Sequence, residues 1–326
     1  MKFLVTGGAG FIGHNVVRQL EELGHECFVL DSVTNYGFVP QAELDYLYTE
    51  RRKRMRAVVH HMDLRNRQQV KDFFLNFSFG ADAVIHLASF PRQKVVSQDP
   101  VWGAEVMGTG LVNLLELTKI HRVPKFVYIS SSMVYGDFAN DVSEDAPCNP
   151  QGQYGIMKLM GERLVEDYTR RGCFDHVIVR PSAVYGEYDV EDRVVSKFVL
   201  GAMRNETLRV KGANEVLDFT YVEDTAQGIV LAATKTEACN QIFNITRSDT
   251  KLYTLLDAAS LAIKIAGQGR VVCEDKDAEF PSRGRLNIEQ AQRVLGYQPT
   301  VSVEQGFERY HAWFQNSSYW QQQIKK

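Results

Sequence analysis

The stretch Lys2-Phe3-Leu4-Val5-Thr6-Gly7-Gly8-Ala9-Gly10-Phe11-Ile12-Gly13 decides the fold of this chain. Its first five residues form an apolar run typical of a buried parallel strand, and apolar residues at helical spacing follow as far as Gly24. The glycines at positions 7, 10 and 13 suit a tight turn, close approach to a pyrophosphate, and close packing of helix on strand. Together these features predict a doubly wound parallel sheet with a dinucleotide at the first helix N-terminus.

The next apolar run, Glu26–Leu30, reads as a second strand, and it ends at Asp31. An acid about twenty residues beyond the glycines is expected to bind the hydroxyls of an adenosine ribose. It would repel the 2′-phosphate of NADP, and no arginine follows at once to receive that phosphate. The sequence therefore predicts NAD as the cofactor.

Composition and charge set the outer limits of the interpretation. The chain has 326 residues, of which 44% are hydrophobic and 24% charged, enough for one large core, or for a large and a small one. A net charge of −3 without a basic block argues against nucleic acid as a partner. No apolar run spans a bilayer and none reads as a signal peptide, so we expect a cytoplasmic protein without membrane contact. The five cysteines are far apart, which predicts free thiols and no metal site.

A tyrosine and a lysine four residues apart, Tyr154 and Lys158, would share one face of a helix. An ammonium beside a phenol favours the phenolate, so we expect Lys158 to lower the pKa of Tyr154 and make it a usable base. Ser131, which follows the strand Lys125–Ile129, would supply a second hydrogen bond to the same substrate oxygen. These three residues are the predicted catalytic group.

Several motifs together give the chain a family resemblance over nearly its whole length. They are the Gly7–Gly13 spacing, Asp31, Asp63-Leu64, His86-Leu87-Ala88, Ser130–Gly136, Tyr154 with Lys158, Arg180-Pro181, and the tail segments Arg283–Asn287 and Leu295–Pro299. In these features the chain resembles the extended short-chain dehydrogenase/reductases, in the nucleotide-sugar epimerase/dehydratase group typified by UDP-galactose 4-epimerase.

The resemblance implies the layout of domains and cofactor site. It implies a Rossmann-type NAD-binding domain over residues 1–180, with a sheet-completing return segment near 217–247, and a discontinuous α/β substrate lid over most of 181–326. It implies a homodimer through the helices expected over Val101–Ile120 and Tyr154–Tyr168. The implied cofactor-binding residues are Gly7, Gly10, Phe11, Ile12, Gly13, Asp31, Asn35, Asp63, Leu64, Leu87, Ala88, Ser89, Tyr154, Lys158 and Pro181.

Three positions depart from the family pattern. Glu105 and Ala183 stand where relatives usually carry asparagine, and Leu217 stands where they carry a phosphate-binding arginine. Glu105 is expected either to pair with a neighbouring cation or to act near Lys158. With two usual donors missing, we expect the substrate to be bound by the residues Ser132, Arg193, Arg283 and Arg285, the last two because they match the tail motif.

The resemblance predicts an NAD-dependent nucleotide-sugar 4-epimerase, in which Tyr154 deprotonates the C4 hydroxyl and the 4-keto sugar is reduced again from its other face. Met133 and Ser132 occupy the positions where the family's dehydratases carry acids, so elimination of water is not expected. A one-way C4 dehydrogenase or 4-ketoreductase remains an alternative, because the altered sugar contacts could hold one face only. A third hypothesis, a sensor of NAD redox state, would not need Ser131, Tyr154 and Lys158.

Overall fold

The computed structural model describes residues 1–76, 80–278 and 280–324. In chain order the strands are β1 Lys2–Thr6, β2 Glu26–Asp31, β3 Val59–His61, β4 Ala83–His86, β5 Lys125–Ile129, β6 Asp175–Pro181, β7 Val184–Tyr185, β8 Thr207–Lys211, β9 Val216–Leu217, β10 Thr220–Tyr221, β11 Gln241–Ile245, β12 Tyr253–Thr254 and β13 Arg270–Glu274.

The α-helices are α1 Gly13–Glu22, α2 Gln41–Lys53, α3 Arg67–Asn76, α4 Gln93–Gln98, α5 Pro100–Ala104, α6 Leu111–Ile120, α7 Gly152–Arg170, α8 Val194–Met203, α9 Val222–Thr234, α10 Leu255–Ala266, α11 Val303–Asn316 and α12 Ser318–Ile324. Short 3-10 helices cover Ser132–Tyr135 and Thr236–Ala238, and π-helices cover Glu105–Gly110 and Ala291–Leu295. No helix in these described ranges is both long and apolar enough to cross a bilayer.

Seven parallel strands form the central sheet in the order β11-β6-β5-β4-β1-β2-β3. The chain first builds outward from β1 through β2 to β3, then returns to add β4 on the other side of β1. Loops at the carboxyl ends of β1 and β4 therefore diverge and leave a crevice, which is the usual ligand site of such sheets. The predicted Rossmann-type doubly wound α/β fold is confirmed.

Helices cover both faces of the sheet because successive strand residues point to opposite sides. In β1, Phe3 and Val5 join the core beneath α1 and α9, whereas Leu4 joins the core beneath α3, α6 and α7. All three side chains are fully buried. The apolar run that predicted a two-sided strand is thus explained by two separate layers of packing.

A second core lies in the carboxyl-terminal part of the chain, as expected for a substrate lid. It is formed by α8, α10, α11 and α12, with the pair β8 and β13, and includes the fully buried Phe307, Phe314 and Trp320. The return segment sends α9 and β11 back to the central sheet. The domain bounds at residue 180 and near 217–247 remain a prediction.

The helix expected over Val101–Ile120 is divided into α5, a π-helix and α6. Asp99 caps α5 by accepting the backbone N–H of Trp102 at 2.9 Å. Three glycines between positions 103 and 110 weaken α-helical preference, and the wider π turn occupies this stretch. The expected helix is therefore present, and it contains a π turn.

Candidate active site

The glycine turn after β1 lies against the loop after β4. Gly7 has a φ of +72°, and a Cβ added there would lie 2.6 Å from the backbone nitrogen of Ala88. A Cβ on Gly13 would lie 2.1 Å from the carbonyl oxygen of Gly7. Any side chain at either position would therefore force the backbone apart, so this turn has the bare surface and free helix N-terminus that a pyrophosphate requires.

Asp31 binds the backbone of this glycine turn through its side chain. Its carboxylate accepts the backbone N–H of Ala9 at 2.9 Å and that of Val33 at 2.8 Å. Burial raises the pKa of Asp31, although these two hydrogen bonds oppose the rise. Each oxygen retains a lone pair that can accept from a ribose hydroxyl, so Asp31 fits the adenosine end of NAD.

A cleft of about 380 Å³ runs from this turn to the carboxyl end of β5. All fifteen residues predicted to bind the cofactor line this cleft, as do Ser131 and Arg193. The glycine turn and Asp31 together fit NAD. When bound, that cofactor would supply reversible hydride transfer.

The part of the cleft lined by Asp63 and Arg65 has a chain of three charged side chains. Arg65 donates to both oxygens of Asp63, and its Nη1 donates to Glu105 at 2.8 Å. Glu105 therefore pairs with a neighbouring cation, which is the plainer of the two roles expected for it. Asn113, about two turns further on, donates to the carbonyl oxygens of Leu64 and Arg65 and so supports the same loop.

The predicted catalytic residues meet at the other end of the cleft. Ser131 lies close enough to Tyr154 to oppose the rise of its pKa, and the N–H of Met133 donates to the Ser131 hydroxyl at 3.2 Å. The backbone N–H of Tyr154 donates to Gln93 at 3.0 Å. Neighbouring segments thus hold the serine and the tyrosine, and both residues line the cleft.

Lys158 is placed differently from the simple tyrosine–lysine pair expected from spacing. Its Nζ donates to the carbonyl oxygen of Ile129 at 2.7 Å and lies 5.8 Å from the centre of the Tyr154 ring. Burial lowers the pKa of Lys158 to about 7, although Glu162 opposes this change. Burial also raises the pKa of Tyr154, and it is Arg193 and Ser131 that oppose this rise. The expectation that Lys158 sets the Tyr154 pKa is therefore corrected for the protein in this state.

Two arginines of the carboxyl-terminal half are candidates for binding an anion, and Arg193 is close enough to Tyr154 to oppose the rise of its pKa. Arg193, the residue before α8, lines the cleft and forms an ion pair with the buried Asp189 at 3.4 Å. Arg283 lies within electrostatic reach of Arg193 and Glu215, and burial lowers its pKa to about 10. The Nε of Arg283 is buried without a hydrogen-bond partner among the described residues. Both therefore have capacity left for an anion.

Of the four residues predicted to bind substrate, Arg193 lines this cleft, whereas Arg283, Arg285 and Ser132 do not. Arg285 donates to Asp141 at 2.9 Å and lines a separate polar pocket with Arg247 and Asp249. Ser132 is buried and donates to the hydroxyl of Ser182 at 3.0 Å. The tail motif did not distinguish Arg283 from Arg285, because it records neither the burial of Arg283 nor the ion pair that Arg285 forms with Asp141.

Sequence reasoning missed four residues that shape the cleft. Arg92 donates to the carbonyl and carboxylate oxygens of Asp192 and so connects the β4 loop to the lid. The buried face of α2 carries Glu43 and Arg51, which bind the backbone of Glu191 and Tyr188 respectively. Tyr36 packs against Phe90 and Trp102. The helical spacing of Glu43, Leu47 and Arg51 was the available signal, but charged residues at that spacing usually face solvent.

The comparisons with known proteins agree with this fold. The model of the NAD dependent epimerase/dehydratase family matches residues 3–246. This chain belongs to that family.

Three relatives show how far the similarity extends. A protein of Methanocaldococcus jannaschii, provisionally named a UDP-glucose 4-epimerase, is 30% identical over 97% of this chain and 99% of its own length. The UDP-glucose 4-epimerase of Thermus thermophilus in complex with NAD superposes with a TM-score of 0.84, at 26% identity, over 97% of this chain and 100% of that chain. The UDP-glucuronic acid 4-epimerase of Bacillus cereus in complex with UDP-glucuronic acid and NAD superposes with a TM-score of 0.84 at 27% identity. The match covers 96% of this chain and 98% of that chain.

Proposed function

We propose that this chain is an NAD-dependent 4-epimerase of UDP-sugars. The observation that carries the proposal is the meeting of Ser131, Tyr154 and Lys158 at the cleft end that faces the lid. These groups suit removal and return of a hydroxyl proton. The relatives named UDP-glucose and UDP-glucuronic acid 4-epimerases supply the substrate class.

In the proposed reaction, three side chains of the site have separate roles. Tyr154 accepts the proton of the sugar C4 hydroxyl and later returns it, while Ser131 donates a hydrogen bond to the same sugar oxygen. Lys158 provides a cation in a buried site, where charge interactions are stronger than in water. Met133 is buried and has no ionisable group, so the site supports oxidation and reduction but no elimination.

Arg193 and Arg283 would bind the substrate pyrophosphate. They come from the lid, lie within electrostatic reach of each other, and take the place of the family arginine that is Leu217 here. Leu217 itself pairs with Tyr253 in a lid strand and packs on the lid core. A guanidinium matches phosphate oxygens in pairs, which suits this role.

A second candidate substrate is a UDP-linked uronic acid. Arg193 is close enough to Tyr154 to influence its pKa. In a hexose bound with its C4 hydroxyl at Tyr154, the neighbouring ring carbon C5 carries C6. A carboxylate at C6 would then face Arg193, and in that case the pyrophosphate would be bound by Arg283 and not by Arg193. UDP-glucose and UDP-glucuronic acid should therefore be assayed side by side.

The test is proton NMR of the products formed from each UDP-sugar by the purified protein. We expect inversion at C4 without net consumption of NAD. Tyr154→Phe should lose about 10²- to 10⁴-fold in rate. Tyr168→Phe is the matched control, because Tyr168 lies on the same helix but bonds to Glu116 outside the cleft. A 4-keto-6-deoxy product, or one equivalent of NADH per sugar, would refute the epimerase assignment.

The proposal also includes a homodimer. Helices α6 and α7 expose Val112, Ile156 and Met160 on their outer faces. Such apolar groups on two neighbouring helices suit a second copy of the same surface. A cytoplasmic location likewise stays a prediction.

A further inference from the structure

A buried ion pair lies directly behind the catalytic helix. Arg180, at the end of β6, donates through Nε and Nη2 to the two carboxylate oxygens of Glu162 on α7, at 2.9 and 2.7 Å. Their side chains are 2% and 0% exposed. Desolvation largely cancels the attraction in such pairs, so stability alone does not account for this one.

The acid of this pair lies one helical turn after Lys158. The side chains of residues 158 and 162 share a face of α7. The other titratable groups near Lys158 are His86 on β4, Tyr128 on β5 and Tyr154 on α7. His86 and Tyr128 are neutral at pH 7, since burial lowers the pKa of His86 to about 3 and raises that of Tyr128. Among the described residues, Glu162 is thus the negative charge that acts on Lys158.

The guanidinium of Arg180 contacts the other segments of the site. Nη1 of Arg180 donates to the Tyr135 hydroxyl at 2.9 Å and to the carbonyl oxygen of Glu144 at 3.1 Å. Tyr135 ends the short helix that follows Ser131, and Pro181 lines the cleft. One guanidinium therefore joins the segments that carry Ser131, Lys158 and Pro181.

We propose that Glu162 and Arg180 are positioning residues that set the charge and place of Lys158 during turnover. Glu162 supports the ammonium form of Lys158 in a site from which water is largely excluded. Arg180 balances the charge of Glu162 and limits its effect. The idea rests on the proposed function in one respect, that Lys158 acts together with Tyr154.

The experiment removes the charge of Glu162 in one variant and that of Arg180 in another, each time with a side chain of similar size and shape. Glu162→Gln leaves Arg180 unbalanced, so the pKa of Lys158 should fall and the alkaline limb of the kcat/KM profile should move down by about one pH unit. Arg180→Met leaves the carboxylate of Glu162 without its positive partner. The pKa of Lys158 and the alkaline limb of the kcat/KM profile should then both move up by a similar amount. The double variant Glu162→Leu with Arg180→Met should lie between the two and should fold, because apolar replacement of a buried pair is tolerated.

A direct titration separates this proposal from the choice of substrate. The Lys158 ammonium can be followed by NMR of lysine-labelled protein with bound NAD, using Lys158→Arg to assign the signal. Opposite shifts in the two single variants support the proposal even if no tested UDP-sugar is turned over. Shifts of the same sign, or loss of activity with an unmoved Lys158 titration, would overturn it. Should a single variant fail to fold, Glu162→Asp and Arg180→Lys should give smaller shifts of the same signs.

Discussion

Replacing Arg193 by alanine should weaken the binding of UDP-sugar and leave the content of NAD unchanged. The guanidinium lines the cleft and is held at 3.4 Å by the buried Asp189, which leaves donors free for an anion. A hydrogen bond to a charged group contributes about 1.5 to 3 kcal/mol. Since about 1.4 kcal/mol corresponds to a factor of ten, KM should rise roughly ten- to a hundredfold.

The assay is initial-rate kinetics with UDP-glucose and with UDP-glucuronic acid, together with the NAD content of the purified variant. A pyrophosphate role predicts the same loss for both substrates, whereas a loss confined to the acidic sugar would assign Arg193 to its carboxylate. Arg285→Ala is the matched control, because Arg285 pairs with Asp141 outside the cleft. An unchanged KM for both substrates in Arg193→Ala would refute the reasoning.

Three further predictions concern pH, backbone strain and assembly. Burial lowers the pKa of His86 to about 3, so between about pH 6.5 and 3 the unfolded chain binds one more proton than the folded chain. The free energy of unfolding should therefore fall as the pH falls, by about 1.4 kcal/mol per pH unit. Denaturant titrations at several pH values should show a smaller slope in His86→Gln. Ala183 has a φ of +40°, a region that asparagine tolerates better, so Ala183→Asn should raise Tm, and a lower Tm would show that the side chain does not fit. Ile156→Glu combined with Met160→Glu should convert a dimer to monomers in analytical ultracentrifugation, and a variant that stays dimeric would place the interface elsewhere.

The central sheet and cofactor cleft were predictable because local rules determine them. The apolar run of β1, the glycine spacing and Asp31 each depend on residues close together in sequence, and all three lie where the pattern predicts. The fold class, the family and NAD as cofactor were therefore confirmed. Domain bounds and individual site roles stay predictions.

The lid contacts were less predictable because they depend on distant segments. Arg283 is buried near Glu215 and Arg193, whereas Arg285 pairs with Asp141, and the sequence pattern did not encode these partners. The effect of Lys158 on Tyr154 was misjudged because spacing gives neither burial nor the acceptor at Ile129. Arg51 and Glu43 were overlooked because their partners are backbone atoms of a lid segment more than a hundred residues away.

The π-helix at Glu105–Gly110 has a consequence for how this enzyme could be altered. A π turn contains one residue more than the α turn it replaces, and each helical residue corresponds to about 100° of rotation. Deleting one residue there would restore an α-helix and swing α5 around its axis relative to α6. Trp102 would leave its ring contacts with Tyr36 and Phe90, and Glu105 would turn away from Arg65. The presence of one residue in this turn thus determines how Trp102 and Arg65 line the cofactor cleft. Evolution could change the shape of the cleft by inserting or deleting a single codon here.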